Sequence, residues 1–270
     1  TTHLDESDIS PKLGVIYSIT PSVDAYVQYS HGFRAPPYSD ANVSLDLPLF
    51  RVRAVPNPDL ESESSDGFDV GLRWYGDRST ARISVFRTDY TNFIETKVNI
   101  GVDPVSGYTQ FQSQNIENTT IEGIETGWQL RFGDTRQFMF DGSAFYARGD
   151  NEGTGNPVNS VGPAQAVVGF SWFSADETRE LRLKTTLADA YDRIDESAGE
   201  LFKPAGYAVF DLYFTQKLGN NLIARAGLQN LTDRTYWNWT DVRGLVPDDP
   251  MIPYLAQAGR TASVSLNMVW

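Results

Sequence analysis

Cysteine is missing from all 270 residues, so no disulfide framework, thiolate nucleophile or cysteine-based metal site is available. Histidine is nearly missing: His3 and His31 are the only two, which strips most acid–base and nucleophilic designs of parts. Positive charge is scarce, with 22 Lys+Arg against 35 Asp+Glu and a net charge of −13. That is the wrong sign for a protein that holds nucleic acid by neutralising phosphates. The chain lacks a Gly-rich phosphate loop, an H-E-x-x-H and a G-x-S-x-G, so it reads as a non-enzyme. No apolar run approaches the roughly 18 residues of a membrane helix. That last absence leaves one membrane architecture open, because the alternating strands of a barrel average out on a hydropathy scale. With no secretory leader at Thr1, the chain reads as processed or as beginning inside a longer protein.

What is present is aromatic, at 13%, and alternates with a period of two. The stretch 259–270 (GRTASVSLNMVW) sets Ala262, Val264, Leu266, Met268 and Trp270 on one face and Thr261, Ser263, Ser265 and Asn267 on the other, with Val269 the one apolar exception there. It is long enough to cross hydrocarbon, which takes roughly 9–11 residues of tilted strand. The pattern recurs along the chain. Leu13, Val15, Tyr17 and Ile19 share a face, as do Ala25, Val27, Tyr29, His31 and Phe33, then Phe68, Val70, Leu72 and Trp74, and later Ala166, Val168, Phe170 and Trp172. The stretch 108–132 reads as one very long strand.

The connections alternate short and long. The short ones (20–23, 76–79, 133–136, 174–178, 218–221) hold turn residues, and the long ones fall at 34–64, 97–107, 148–162, 192–204 and 231–258. Turns on one side and loops on the other describe an outer-membrane barrel. The expected fold is therefore all-β, a transmembrane antiparallel barrel with about eleven strands here. An odd count would leave two open edges in lipid, so residues 1–270 read as the C-terminal part of a larger barrel. Splitting 108–132 in two would instead give about twelve strands and a small closed ring.

Particular residues carry a family resemblance. Phe33, Arg34, Ala35, Pro36 and Pro37, followed by Asn57, Pro58, Asp59 and Leu60, resemble the paired "FRAP" and "NPNL" boxes of TonB-dependent outer-membrane receptors of the haem and haemoglobin branch. Further stretches look like the same superfamily: 65–67 (SDG), 115–127 (NIENTTIEGIETG), 228–244 with Asn230, Leu231, Thr232 and Asp233, and Gly259-Arg260. The resemblance implies a 22-stranded barrel of which about eleven strands are here. It also implies a plug and N-terminal strands upstream, contact with the TonB complex through that plug, and import of haem or another iron compound as cargo with no permanently bound cofactor. Outer-membrane lipid and lipopolysaccharide would surround it.

Independently of any family, Pro36, Pro37 and Pro58 remove N–H donors and must end pairing near the rim. Family members that take haem carry a histidine between the boxes, and residues 38–56 have none. The cargo therefore stays open between haem, a siderophore and another nutrient. Tyr38 is a candidate ligand, since tyrosinate can hold haem iron. Arg34 at the strand end and the aromatic run Tyr236, Trp237 and Trp239 are further candidate contacts. Acidic loop residues (Asp192, Asp195, Glu196, Glu200, Asp248, Asp249) suit divalent ions or plain solvated surface. A receptor-like fragment with a structural or partner-binding role and no transport of its own is the second reading.

Overall fold

The computed structural model describes residues 6–219 and 221–268; His3, Val269 and Trp270 lie outside the described residues. In chain order come β1 (Lys12–Thr20), β2 (Val23–Arg34), the short helix α1 (Tyr38–Asn42), and a small hairpin of β3 (Leu45–Leu47) and β4 (Val52–Ala54). Then follow β5 (Glu63–Tyr75), β6 (Ser79–Val102), β7 (Thr109–Phe132), β8 (Phe138–Asn151), β9 (Gln165–Phe173), β10 (Arg179–Ala188), β11 (Tyr207–Leu218) and β12 (Leu222–Gln229). A one-turn helix α2 (Trp239–Val242) precedes β13 (Thr261–Met268).

Eleven strands make one wall, in the order β1-β2-β5-β6-β7-β8-β9-β10-β11-β12-β13, every neighbour antiparallel. The wall does not close: among the described residues β1 pairs only with β2 and β13 only with β12. The stretch 109–132 is a single strand of 24 residues, which rules out the twelve-strand closed ring.

Register puts the apolar faces side by side. One row runs Val15, Val27, Val70, Val85, Ile124, Tyr146 across six strands. These side chains are exposed, Val15 to 56%. A soluble protein rarely leaves more than a few hundred Å² of contiguous apolar surface bare, so this face is built for hydrocarbon. Towards the short turns it ends in an aromatic girdle, with Phe132 5.4 Å from Phe138 and Phe138 5.9 Å from Phe170.

The opposite face is polar, and its glycines have a use. Tyr26 lies across Gly71 and Phe86 across Gly123, each where a Cβ would collide with the ring. Arg182 lies across Gly169 and holds both oxygens of Asp141, at 3.0 and 2.7 Å. Large side chains thus lie flat, seated in gaps that the neighbouring strand leaves.

One expectation is corrected. The segment 97–107 is not a loop. β6 runs on to Val102, β7 begins at Thr109, and only 103–108 turns. Two register shifts, between Glu95 and Val98 and between Asn99 and Gly101, absorb the irregularity, with positive φ at Lys97 (58°) and Gly101 (101°). β5 follows β6 only to Thr91, and β8 follows β7 only to Thr119. The last part of this hairpin therefore rises well beyond its neighbours, by roughly 35 Å at about 3.3 Å per residue.

Candidate functional site

The raised end of β6–β7 is the post on which both groups of long connections are hung. On one flank stand the two boxes. β2 ends at Arg34, and the prolines stop pairing as expected. The Pro37 carbonyl instead accepts the N–H groups of Asp40 (3.0 Å) and Ala41 (3.2 Å), opening α1. The second box ties back. The Asn57 N–H donates to the Asp40 carbonyl at 2.8 Å, and its side-chain amide donates to the Ser113 carbonyl at 3.0 Å. The Ser113 hydroxyl donates to the Asp40 carboxylate at 2.7 Å. Asn57 Oδ1 accepts the Asp59 N–H (3.2 Å) in an Asx turn, and Leu60 is buried beneath it. Further along β7, Asn115 clamps Glu61 through its N–H (2.8 Å) and carbonyl (3.0 Å). β4 completes the attachment as a parallel partner of β7, with Val52, Arg53 and Ala54 opposite Thr109, Gln110 and Phe111.

On the other flank the last two long connections close over a core of Tyr191, Ile194, Leu201, Trp239, Val242, Leu245 and Ile252. Phe111 of β7 packs against it, so this one strand touches both flanks. The seam is polar. Lys97 Nζ donates to the Thr240 carbonyl (3.1 Å) and Asn99 Nδ2 to the Gly244 carbonyl (3.0 Å). Arg243 Nη2 donates to Thr96 Oγ1 at 2.6 Å, while its Nη1 stands 3.5 Å from Glu95 Oε1. Glu95 is buried and takes a 2.6 Å hydrogen bond from the Ser160 hydroxyl. Glu95 Oε1 and Arg243 Nε are themselves buried without a hydrogen-bond partner. The pair is thus under-compensated. Burial pushes the Glu95 carboxyl up and the Arg243 guanidinium down, each against the pull of the other. Burial also pushes the Tyr191 phenol up to about 12.

The structure divides the candidate residues. Tyr38 is 60% exposed at the first position of α1. Arg34 is exposed, 3.9 Å from Glu63. Tyr236 is half-buried against the Tyr207 ring, 4.3 Å between centroids. Trp239, 3% exposed, is spent inside the loop, its indole N–H donating to the Asn159 carbonyl at 2.8 Å. Trp237 packs on the same core and donates to the Ile252 carbonyl at 2.7 Å. Arg34 and Tyr38 belong to the first flank, Tyr236, Trp237 and Trp239 to the second.

Three of the acidic loop residues do local work. Asp195 accepts the Ser197 N–H (2.9 Å), Asp249 the Met251 N–H (2.8 Å), and Glu196 the Leu201 N–H (3.0 Å) and the Lys203 ammonium (2.7 Å). Among the described residues no cluster of three or more His, Asp or Glu side chains is shaped to hold a metal ion. His31 has both ring nitrogens engaged, by Asp66 at 3.0 Å and Asp8 at 3.2 Å.

Two stretches singled out in the sequence meet in space. Asn230 (φ 50°) accepts the Arg234 N–H (2.8 Å) and donates to the carbonyls of Arg234 (2.9 Å) and Ala258 (3.1 Å). Asp233 accepts the Arg260 N–H at 2.7 Å and leaves no room for a Cβ at Gly259. The two ends of the last long connection are thus stapled together. Glu95, Thr96, Lys97, Asn99 and Arg243 were not foreseen, because no local pattern marks residues whose partners lie about 145 positions away.

Residues 1–231 match a family model described as TonB dependent receptor-like, beta-barrel. The chain is 29% identical over 240 residues to a hemoglobin and hemoglobin-haptoglobin-binding protein A of Haemophilus influenzae, a match covering 82% of this chain and 22% of that protein. It is 26% identical over 262 residues to the hemoglobin-haptoglobin utilization protein B of Neisseria meningitidis, covering 86% and 32%. Among solved structures, the copper transporter OprC superposes with a TM-score of 0.78 at 19% identity, over 97% of this chain and 39% of that one. A ferric enterobactin receptor of Pseudomonas aeruginosa does so at 0.70 and 22%, over 97% and 40%. The chain spans 22% and 32% of the lengths of the two curated relatives.

Proposed function

This chain belongs to the TonB-dependent receptor β-barrel family, and on that premise we propose that residues 1–270 are the C-terminal part of the barrel of a receptor that imports haem or another iron compound. Barrels of this family are outer-membrane receptors and transporters rather than enzymes, and the exposed apolar band is the face turned to lipid. The remaining strands and the plug belong upstream, and the TonB complex is the partner that the plug would engage. Two edges that are unpaired among the described residues favour this reading. In hydrocarbon each orphaned backbone group costs several kcal/mol, so other strands must cover β1 and β13. The two curated relatives, each matching more than four-fifths of the chain, are named for the binding or utilization of haemoglobin and its haptoglobin complex, which favours a haem cargo.

The observation that carries the proposal is the arrangement of the long connections. They gather on one side of the wall, bound to one raised hairpin, and leave Arg34 and Tyr38 at the surface. We assign Tyr38 as an axial ligand of ferric haem and Arg34 as a contact for an anionic group of the cargo. Tyr236 stacks at the margin of the other flank, and Trp237 and Trp239 hold the loop that presents it. The test uses the full-length receptor. Deleting it should abolish growth on haem as sole iron source, and undisturbed growth would refute import of haem. Hemin titrated into the purified receptor should shift its Soret band. Tyr38→Phe should remove that shift, and an unchanged spectrum would take the ligand role away from Tyr38.

A further inference from the structure

Both ring nitrogens of His31 face a carboxylate oxygen: Nδ1 stands 3.0 Å from Asp66 Oδ1 and Nε2 stands 3.2 Å from Asp8 Oδ2. A neutral imidazole carries one N–H, so it can donate to one of the two and must turn a lone pair on the other. Only the imidazolium donates to both. The two ends of this bridge are unequal. Asp66 lies directly opposite His31 on β5 and also accepts the Tyr29 hydroxyl at 2.6 Å, so the strands hold it in place. Asp8 belongs to the exposed, unpaired segment 6–11 that leads into β1. Among the described residues, that segment is hydrogen-bonded to other elements only at His31. One tie is the Asp8 contact, and the other is the His31 N–H donating to the Pro11 carbonyl at 2.9 Å.

The register sets His31, Asp66 and Asp89 in one row, one step nearer the long connections than the Arg87, Glu122 and Arg148 row that borders the apolar band. The bridge therefore stands on the water side of that band. The other charges around it leave its balance intact. Asp89, opposite Asp66 on β6, is gripped by Arg87 at 2.9 Å. Lys12 at the head of β1 lies opposite Ser30, on the other face of the wall. Glu6 is the only other charge of the segment 6–11. Hydrogen bonds with Asp66 and then Asp8 raise the histidine above its ordinary 6.5. The tie to Asp8 is thus complete below that value and lost as pH rises through the raised one. We propose that His31 is a proton-operated clasp: protonated, it ties the segment entering β1 to the outer ends of β2 and β5, and on losing its proton it keeps Asp66 and lets Asp8 go. Asp8 is the end released because Asp66 sits on a strand rung and Asp8 does not. The inference does not depend on the cargo.

The test uses the full-length receptor with a nitroxide label at Ser10→Cys, a site in a stretch that has no cysteine of its own, any cysteine elsewhere being replaced by serine. Label mobility is read by electron paramagnetic resonance from about pH 5.5 to about 8.5, a window above the ordinary titration of Asp8 and Asp66. The mobile fraction should rise about two-fold or more across it, with its midpoint above 6.5. His31→Gln should abolish the slope. Asp8→Asn should abolish it too, but with the label held at every pH, because an amide donates to the neutral Nε2 and accepts from the protonated one. Asp8 lies on an exposed segment outside the wall, so misfolding of the barrel cannot produce that result. A flat curve in the parent would overturn the proposal, as would a slope that survives in His31→Gln. An Asp8→Asn label that loosens as pH rises would overturn it as well.

Discussion

Ile83 offers a direct measure of whether the apolar face meets hydrocarbon. It lies on β6 between Leu72 and Thr126 and is exposed. It is four residues from Ser79, where the strand starts, and four from Arg87, where the face turns charged. At about 3.3 Å per residue and a tilt near 40°, that is roughly 10 Å of depth in either direction. Such a depth is beyond the comfortable reach of an arginine side chain, so Ile83→Arg would strand its charge near the midplane. The expected cost is about 2–4 kcal/mol, or roughly 30- to 700-fold in the folding equilibrium at 1.4 kcal/mol per factor of ten. Gln129, exposed on the polar face of β7 opposite Thr80, is the control; Gln129→Arg should change stability by no more than about 0.5 kcal/mol. The assay is urea unfolding of the full-length receptor in liposomes, followed by tryptophan fluorescence. Equal costs at the two positions, or a larger cost at Gln129, would refute the assignment of faces.

Gly71→Ala should cost about 1–3 kcal/mol, because its Cβ would sit 2.7 Å from the Ile83 carbonyl oxygen and inside the Tyr26 ring. Gly14→Ala, whose Cβ would find nothing nearer than 3.9 Å, should be nearly neutral; matching melting temperatures would contradict the seating of Tyr26. Glu95 stands above the membrane with its folded-state value raised by burial, so the packed loops bind its proton more readily than opened ones do. The loop layer should therefore lose protection as pH rises from the ordinary value of 4.5 through the raised one. Hydrogen exchange in 189–206 and 230–260, corrected for intrinsic rates, should show that slope in the parent and not in Glu95→Gln; a slope surviving in the variant would assign it elsewhere. Trp239→Ala should open a cavity worth roughly 3–5 kcal/mol locally. The measurement is proteolytic nicking in 189–206, and an unchanged rate would mean that the loop core does not depend on the indole.

The wall was legible because each of its strands has one face for lipid and one for water, so alternation survives from β1 to β13. The single strand 109–132 was legible for the same reason, through Ile124 to Phe132. Legibility fails where that asymmetry ends. In the raised hairpin Phe93, Ile94 and Glu95 are all buried in succession, because loops cover both sides and a period of two has nothing to report. Gly101, Pro104 and Gly107 then read as a loop, although docking of β4 and of 239–245 on the two flanks holds most of the segment extended. The prolines of the two boxes gave the chain's departure from the sheet correctly, through a local property. The aromatic run 236–239 suggested a stacking surface, and composition alone cannot distinguish an indole that faces cargo from one that faces Tyr191.

The post formed by β6 and β7 behaves like a mast with stays on both sides. One set, from Asn57, Glu61 and β4, pulls from the boxes. The other, from Thr240, Arg243 and Gly244, pulls from the last connection. A mast rigged this way cannot lean without slackening one side and tightening the other, so a pull on the final loop arrives at Asn57 through the side-chain stays at either end and the few strand rungs between them.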